Sequence, residues 1–158
     1  FSMARSGMRD QLKRIHAFSF LPTPEYRKNQ RTEALVELLD VYPTLLELCG
    51  LEASHRLEGR SFVSLLEDPE SDFKSAVLTQ TPRPNYPKGK MPEAMGYPIR
   101  TDRFRYTEWR DFETGSVLDK ELYDHGSDPL ETVNVVAGER YNGFLPELES
   151  QLEELVKR

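Results

Sequence analysis

The sequence predicts an α+β chain in which a small antiparallel sheet is covered by a C-terminal helix. Three observations carry this. Two β-rich runs, Tyr97–Thr101 and Phe104–Trp109, are separated only by Asp102-Arg103, the pattern of a tight hairpin. A further short β-rich run stands at Glu121–Asp124 and another at Ser75–Gln80, which gives four strands. Finally, Leu145, Leu148, Leu152 and Leu155 recur at spacings of three and four within Phe144–Val156, which places one apolar stripe on a helix.

Ahead of this sheet lies Gln30–Gly50, QRTEALVELLDVYPTLLELCG. Ala34–Leu39 is a nearly continuous apolar run and predicts a strand buried on both faces. Asp40 is placed to cap the helix that follows, and Pro43 falls in its first turn, where the missing N–H costs nothing. A single helix over Thr32–Cys49 would instead carry Pro43 in its interior, at about 3 kcal/mol. Gly50 stands where a left-handed C-terminal cap belongs. A strand of this kind needs a larger sheet beside it, and the remaining strands of such a sheet are not found in the chain. The expectation is a piece of a larger protein.

The other segments follow in order. Phe1–Pro24 is a basic arm or domain edge carrying Arg5, Arg9, Lys13 and Arg14. Leu57–Leu66 reads as a turn through Gly59 and a short helix capped by Ser61 and ended by Asp68-Pro69. Thr81–Met95, TPRPNYPKGKMPEAM, holds four prolines and is expected to have no regular structure. Tyr106 and Phe104 face one side of the second hairpin strand and Arg105, Thr107 and Trp109 the other. Glu131–Ala137 leads toward the last helix.

Composition bounds the function. Of 158 residues, 37% are hydrophobic and 30% charged, polar for one domain of this length, and mean hydropathy is −0.64. A formal net charge of −6 argues against a general nucleic-acid partner. No apolar run approaches the roughly 18 residues that a membrane-crossing helix needs. One cysteine excludes an internal disulfide framework. No signal-peptide pattern is read, and no compartment follows from the residues.

Four segments in order carry a resemblance: TEALVELLDVYPTLLELCGL, LEGRSFVSLLEDP, MGYPIRTDRFRYTEW and ELYDHGSDPLETVNVV. Together they resemble the C-terminal part of the sulfatase family, an alkaline-phosphatase-like superfamily, and the hairpin run is especially similar to the iduronate-2-sulfatase branch. The resemblance covers Gln30 to the C-terminus. It implies the end of a sulfatase α/β domain over residues 30–70, after an arm over 1–29, and the whole C-terminal subdomain over 71–158. Enzymes of this family are often periplasmic, secreted or lysosomal.

The resemblance also implies what the complete family enzyme uses: Ca²⁺ and a formylglycine made from the Cys or Ser of a C/S-x-P/A-x-R motif. Neither is expected in this chain. Cys49 is followed by no Pro and no Arg at the required offsets, and is read as a small core residue. His55 has nothing to orient it for thiol chemistry, and His16 has no partners in the basic arm. Asp124-His125-Gly126 is a tempting metal motif, yet its flanks, Glu121-Leu122-Tyr123 and Asp128-Pro129, place it in a surface turn. Arg5, Asp10 and Arg14 match the family's upstream lysine neighbourhood only weakly. No catalytic residue and no metal ligand is therefore assigned.

The remaining candidates are substrate-rim residues. In sulfatases the C-terminal subdomain lies beside the cleft, and the proline-rich loop here is net positive on an acidic chain. Arg83, Tyr86, Lys88, Lys90 and Arg100 are the candidates for an anionic sugar, cations for carboxylate or sulfate and Tyr86 for the ring face. The same residues also fit a solvated loop, and Arg100 a structural ion pair. Three functional readings stay open: an inactive C-terminal portion of a sulfatase, a light chain that completes a catalytic chain, and a free-standing module for sulfated or acidic glycans. The expected partners are an N-terminal sulfatase catalytic domain or chain, a sulfated sugar, and a second copy through an exposed apolar face around Leu35–Leu46.

Overall fold

A computed structural model of the chain describes residues 31–84, 89 and 91–157. The chain divides into two compact units between Lys74 and Ser75.

In the first unit the expected strand over Ala34–Leu39 is not formed. The backbone has no regular structure to Glu37, turns as a 3-10 helix over Leu38–Asp40, and runs directly into α1 (Val41–Leu48). No β-strand lies in the described part of this unit to pair with it. Asp40 decides the path instead, and it does not cap α1 forward. Its fully buried carboxylate accepts from the Glu37 N–H at 2.9 Å and the Arg60 N–H at 2.8 Å. Both its oxygens also accept from the Lys74 ammonium at 2.7 Å. Thr44 joins the same knot. Its hydroxyl donates to the Asp40 carbonyl at 2.6 Å and accepts from the Phe62 N–H at 3.0 Å.

Pro43 does fall in the first turn of α1, and the helix ends as expected. Gly50 adopts φ +65°, the Gly50 N–H reaches the Glu47 carbonyl, and the Leu51 N–H reaches that of Leu46, a Schellman pair. A turn then carries the chain to α2 (Val63–Glu67), with Ser61 Oγ accepting from the Val63 N–H at 3.3 Å. Val63 and Leu65 are buried, but α1 buries only Thr44.

The second unit holds the sheet. Its strands are β1 (Val77–Leu78), β2 (Thr81–Arg83), β3 (Ala94–Arg100), β4 (Phe104–Asp111) and β5 (Val117–Asp124), all paired antiparallel. β1 and β2 both pair with β3, followed by β4 and β5. The pairs Leu78↔Ile99 and Thr81↔Gly96 keep one register, so β1 and β2 form one broken edge lane and the sheet has the four lanes predicted. Pro98 explains the break. It accepts from the Thr79 N–H at 3.0 Å but has no N–H to return.

The expectation of no regular structure over Thr81–Met95 is corrected at both ends, by β2 and by the first residues of β3. Pro82 is tolerated because the lane lies at the sheet edge. Thr79 turns its N–H inward to Pro98, so by the two-residue alternation Pro82 turns its nitrogen outward. The hairpin β3–β4 closes through Thr101–Phe104 as predicted. Residues 131–137 lead toward the last helix without being helical themselves. Val135 and the Asn134 side chain instead bond Leu122 along the outer edge of β5, and a 3-10 turn over Glu139–Tyr141 precedes α3 (Leu145–Val156).

The core is one layer between sheet and helix. Ile99, Phe104, Tyr106 and Leu122 meet Tyr141, Leu148, Leu152 and Leu155. Two glutamates of α3 reach back to the sheet: Glu149 takes Lys120 at 2.6 Å and Glu153 takes Arg110. The buried Tyr106 hydroxyl donates to Glu108 Oε1 at 2.8 Å, and burial with this carboxylate pushes the phenol far above its ordinary value.

Candidate functional site

Arg83 ends β2, at the mouth of the proline-rich loop, and is exposed. Its guanidinium lies over the Trp109 ring with its carbon 3.7 Å from the ring centroid, a close cation–π stack. Trp109 is held from the other side by its cross-strand partner Gly96, where a Cβ would stand 2.7 Å from Cζ3 of the indole. The indole N–H donates to Glu121 Oε1 at 3.2 Å. The sheet therefore builds a floor on its face away from α3, and Arg83 rests on it.

Tyr86, Lys88 and Lys90 lie outside the described residues, as do His16, Arg5, Asp10 and Arg14. Arg100 is not brought to Arg83. Arg83 stands opposite Ala94, and Arg100 is at the far end of β3, roughly 20 Å away at strand rise. Arg100 is used by the hairpin. Its Nη1 donates to the carbonyls of Thr101 and Phe104, and burial lowers its proton affinity.

Beside Arg100 the structure places a cluster that sequence reasoning missed. Arg105 pairs with Glu131, and Glu131 Oε1 lies 2.7 Å from His125 Nε2. Glu131 has φ +55°, a backbone cost that a non-glycine residue meets only where its surroundings hold it. Arg105 on the face away from α3 was the available signal. Its partner lies 26 residues further on, beyond any local pattern.

Asp124-His125-Gly126 does open a turn, as expected, with the Ser127 N–H donating to the Asp124 carbonyl, but the Asp124 carboxylate itself is buried. Arg103 grips it at two points, and Gly126 N–H and the Tyr141 hydroxyl donate to it at 3.0 and 3.3 Å. The Arg103 guanidinium holds the Asp124 carboxyl well below the usual carboxylate range despite burial.

Cys49 corrects the core reading. It caps α1 and is exposed, as are Tyr42 and Leu45, while the helix turns Thr44 inward. His55 touches only Ser54 among the described residues, at 3.3 Å. No three His, Cys, Asp or Glu side chains of the described residues gather to hold a metal ion. These residues do not fit the Ca²⁺ and formylglycine centre that the resemblance implies for the complete enzyme, and no chemical step is derived through it. No described helix is long and apolar enough to cross a membrane.

The first unit exposes several large apolar side chains. Leu38, Leu39, Tyr42, Leu45 and Leu51 are all exposed, Leu38 to 78%. This is the exposed face expected around Leu35–Leu46, although Leu35 and Val36 themselves are half-buried.

Comparison with known proteins agrees with this architecture. The family described as N-sulphoglucosamine sulphohydrolase, C-terminal, matches residues 14–158. Arylsulfatase K of Gallus gallus is 34% identical over 116 residues, covering 71% of this chain and 21% of the relative. Iduronate 2-sulfatase of Mus musculus is 31% identical, covering 75% of this chain and 28% of the relative. A solved structure in complex with its substrate D-glucosamine-2-N,6-O-disulfate matches with a TM-score of 0.59 at 27% identity, over 75% of this chain and 23% of the other. The chain thus spans only between a fifth and a third of the length of these proteins.

Proposed function

Since the chain belongs to the sulfatase family, as its C-terminal region, we propose that it is the C-terminal portion of a sulfuric ester hydrolase and is inactive until joined to a nucleophile-bearing catalytic domain. The observation that carries this is the exposed row Leu38, Leu39, Tyr42, Leu45 and Leu51. Exposed apolar patches of this kind mark surfaces meant for contact. On this reading residues 30–70 complete the catalytic domain and residues 71–158 form the subdomain beside its cleft. Formylglycine and Ca²⁺ belong to the preceding part of the complete enzyme, which is the partner of the apolar row. The substrate is a sulfated sugar, met at the rim by Arg83 and by the loop carrying Tyr86, Lys88 and Lys90. Support for the sugar comes from the exposed, stacked Arg83 and from the disulfated glucosamine bound by the related structure.

The test is turnover of 4-nitrocatechol sulfate with added Ca²⁺, first by the chain alone and then after mixing with a sulfatase catalytic domain that lacks this region. The expected result is none alone and turnover on mixing. Turnover by the chain alone overturns the proposal. A stable dimer of the chain would assign the apolar row to a second copy.

A further inference from the structure

We infer that Trp109, Gly96 and Glu121 are positioning residues that hold Arg83 as a fixed reader of a carboxylate or sulfate on the sugar. The inference rests on the rim reading above and deepens it.

The geometry supports the division of roles. A guanidinium carries its N–H donors around its edge, so stacking occupies a face and leaves the edge for a bidentate oxyanion. Arg83 is exposed, and no described acceptor meets it. Trp109 is 7% exposed and offers little surface of its own. It serves as a floor. Gly96 lets the indole lie flat on β3, since a Cβ there would stand 2.7 and 2.9 Å from two ring carbons. Glu121 Oε1 accepts the indole N–H and sets the rotation of the ring. A long, flexible side chain at a sheet edge is thereby restrained before any ligand arrives, which lowers the ordering cost of binding.

Trp109 is the single tryptophan, so the site reports on itself. The chain is titrated with a heparin-derived sulfated disaccharide at low ionic strength, following tryptophan fluorescence and the indole N–H resonance. In Trp109 variants, affinity is read by calorimetry. Arg83→Gln is expected to weaken binding about tenfold, the loss of one charged contact. Trp109→Leu is expected to weaken it by a similar factor, Trp109→Phe to restore most of it, and Arg83→Gln with Trp109→Leu to add nothing further. Thermal melts of each variant control for folding, and Glu121→Gln serves should Trp109→Leu not fold, with a shifted indole resonance and a smaller loss.

No binding by the parent sequence overturns the rim reading and the inference together. Binding that needs Arg83 but is indifferent to Trp109→Leu, or to Glu121→Gln in its place, overturns the inference alone. Binding indifferent to Arg83→Gln overturns the inference and leaves the rim to the loop carrying Tyr86, Lys88 and Lys90.

Discussion

Arg103 grips Asp124 at two points across the β4–β5 pair, Nε to Oδ1 at 2.9 Å and Nη2 to Oδ2 at 2.8 Å. The same carboxylate anchors Gly126 and Tyr141, so one ion pair joins the hairpin turn, the end of β5 and the approach to α3.

Asp124→Asn is expected to lower thermal stability clearly at neutral pH, because Arg103 loses its charged partner. The sign with pH follows from the Asp124 pKa, which Arg103 lowers in the folded state. Its contribution is fully present above the unfolded carboxylate value, near pH 4, and is lost as pH falls toward the folded value. Urea melts should therefore show the gap between parent and variant narrowing progressively below about pH 4. A gap that widens in acid contradicts this assignment.

Leu152 is fully buried between α3 and the sheet. Leu152→Ala is expected to cost about 3 kcal/mol in chemical denaturation, the usual loss plus cavity term for a core leucine. Leu145→Ala, at a half-buried position on the same stripe, should cost markedly less.

Lys74 places its ammonium 2.5 Å from Glu37 and 2.7 Å from Asp40, with all three side chains at most 8% exposed. Lys74→Met leaves two carboxylates buried without that cation, and a loss of about 3 kcal/mol is expected. Hydrogen exchange at the Arg60 amide, which donates to Asp40, should rise in the variant. Unchanged protection would mean the knot does not depend on the ammonium.

Leu38→Glu with Leu45→Glu should leave the melting of the chain unchanged, since both side chains already face solvent. The pair should abolish turnover in the mixing experiment and raise solubility of the isolated chain. Retained turnover would move the catalytic-domain contact elsewhere.

Much of the second unit was legible in the sequence because its signals are local. The hairpin follows from two alternating runs around Asp102-Arg103, and α3 from the leucine spacing. Ala34–Leu39 misled because an apolar run without alternation does not identify its own structure. There the chain turns on Asp40, whose partners Arg60 and Lys74 lie 20 and 34 residues away. Pro82 hid β2, since a proline demotes a strand only when its nitrogen faces the ladder. Arg83 was read as a rim cation, but nothing near it in sequence announced Trp109 beneath it. Gly96, a glycine within a strand pattern, was the trace of that close approach.

The broken lane also governs what the sheet can join. Pro82 directs a nitrogen without hydrogen to the open side of β2, and Asn134 with Val135 already occupies the outer side of β5. An incoming strand from another molecule finds a missing donor at Pro82 on one flank and Leu122 already bonded on the other, and both features discourage edge-to-edge pairing.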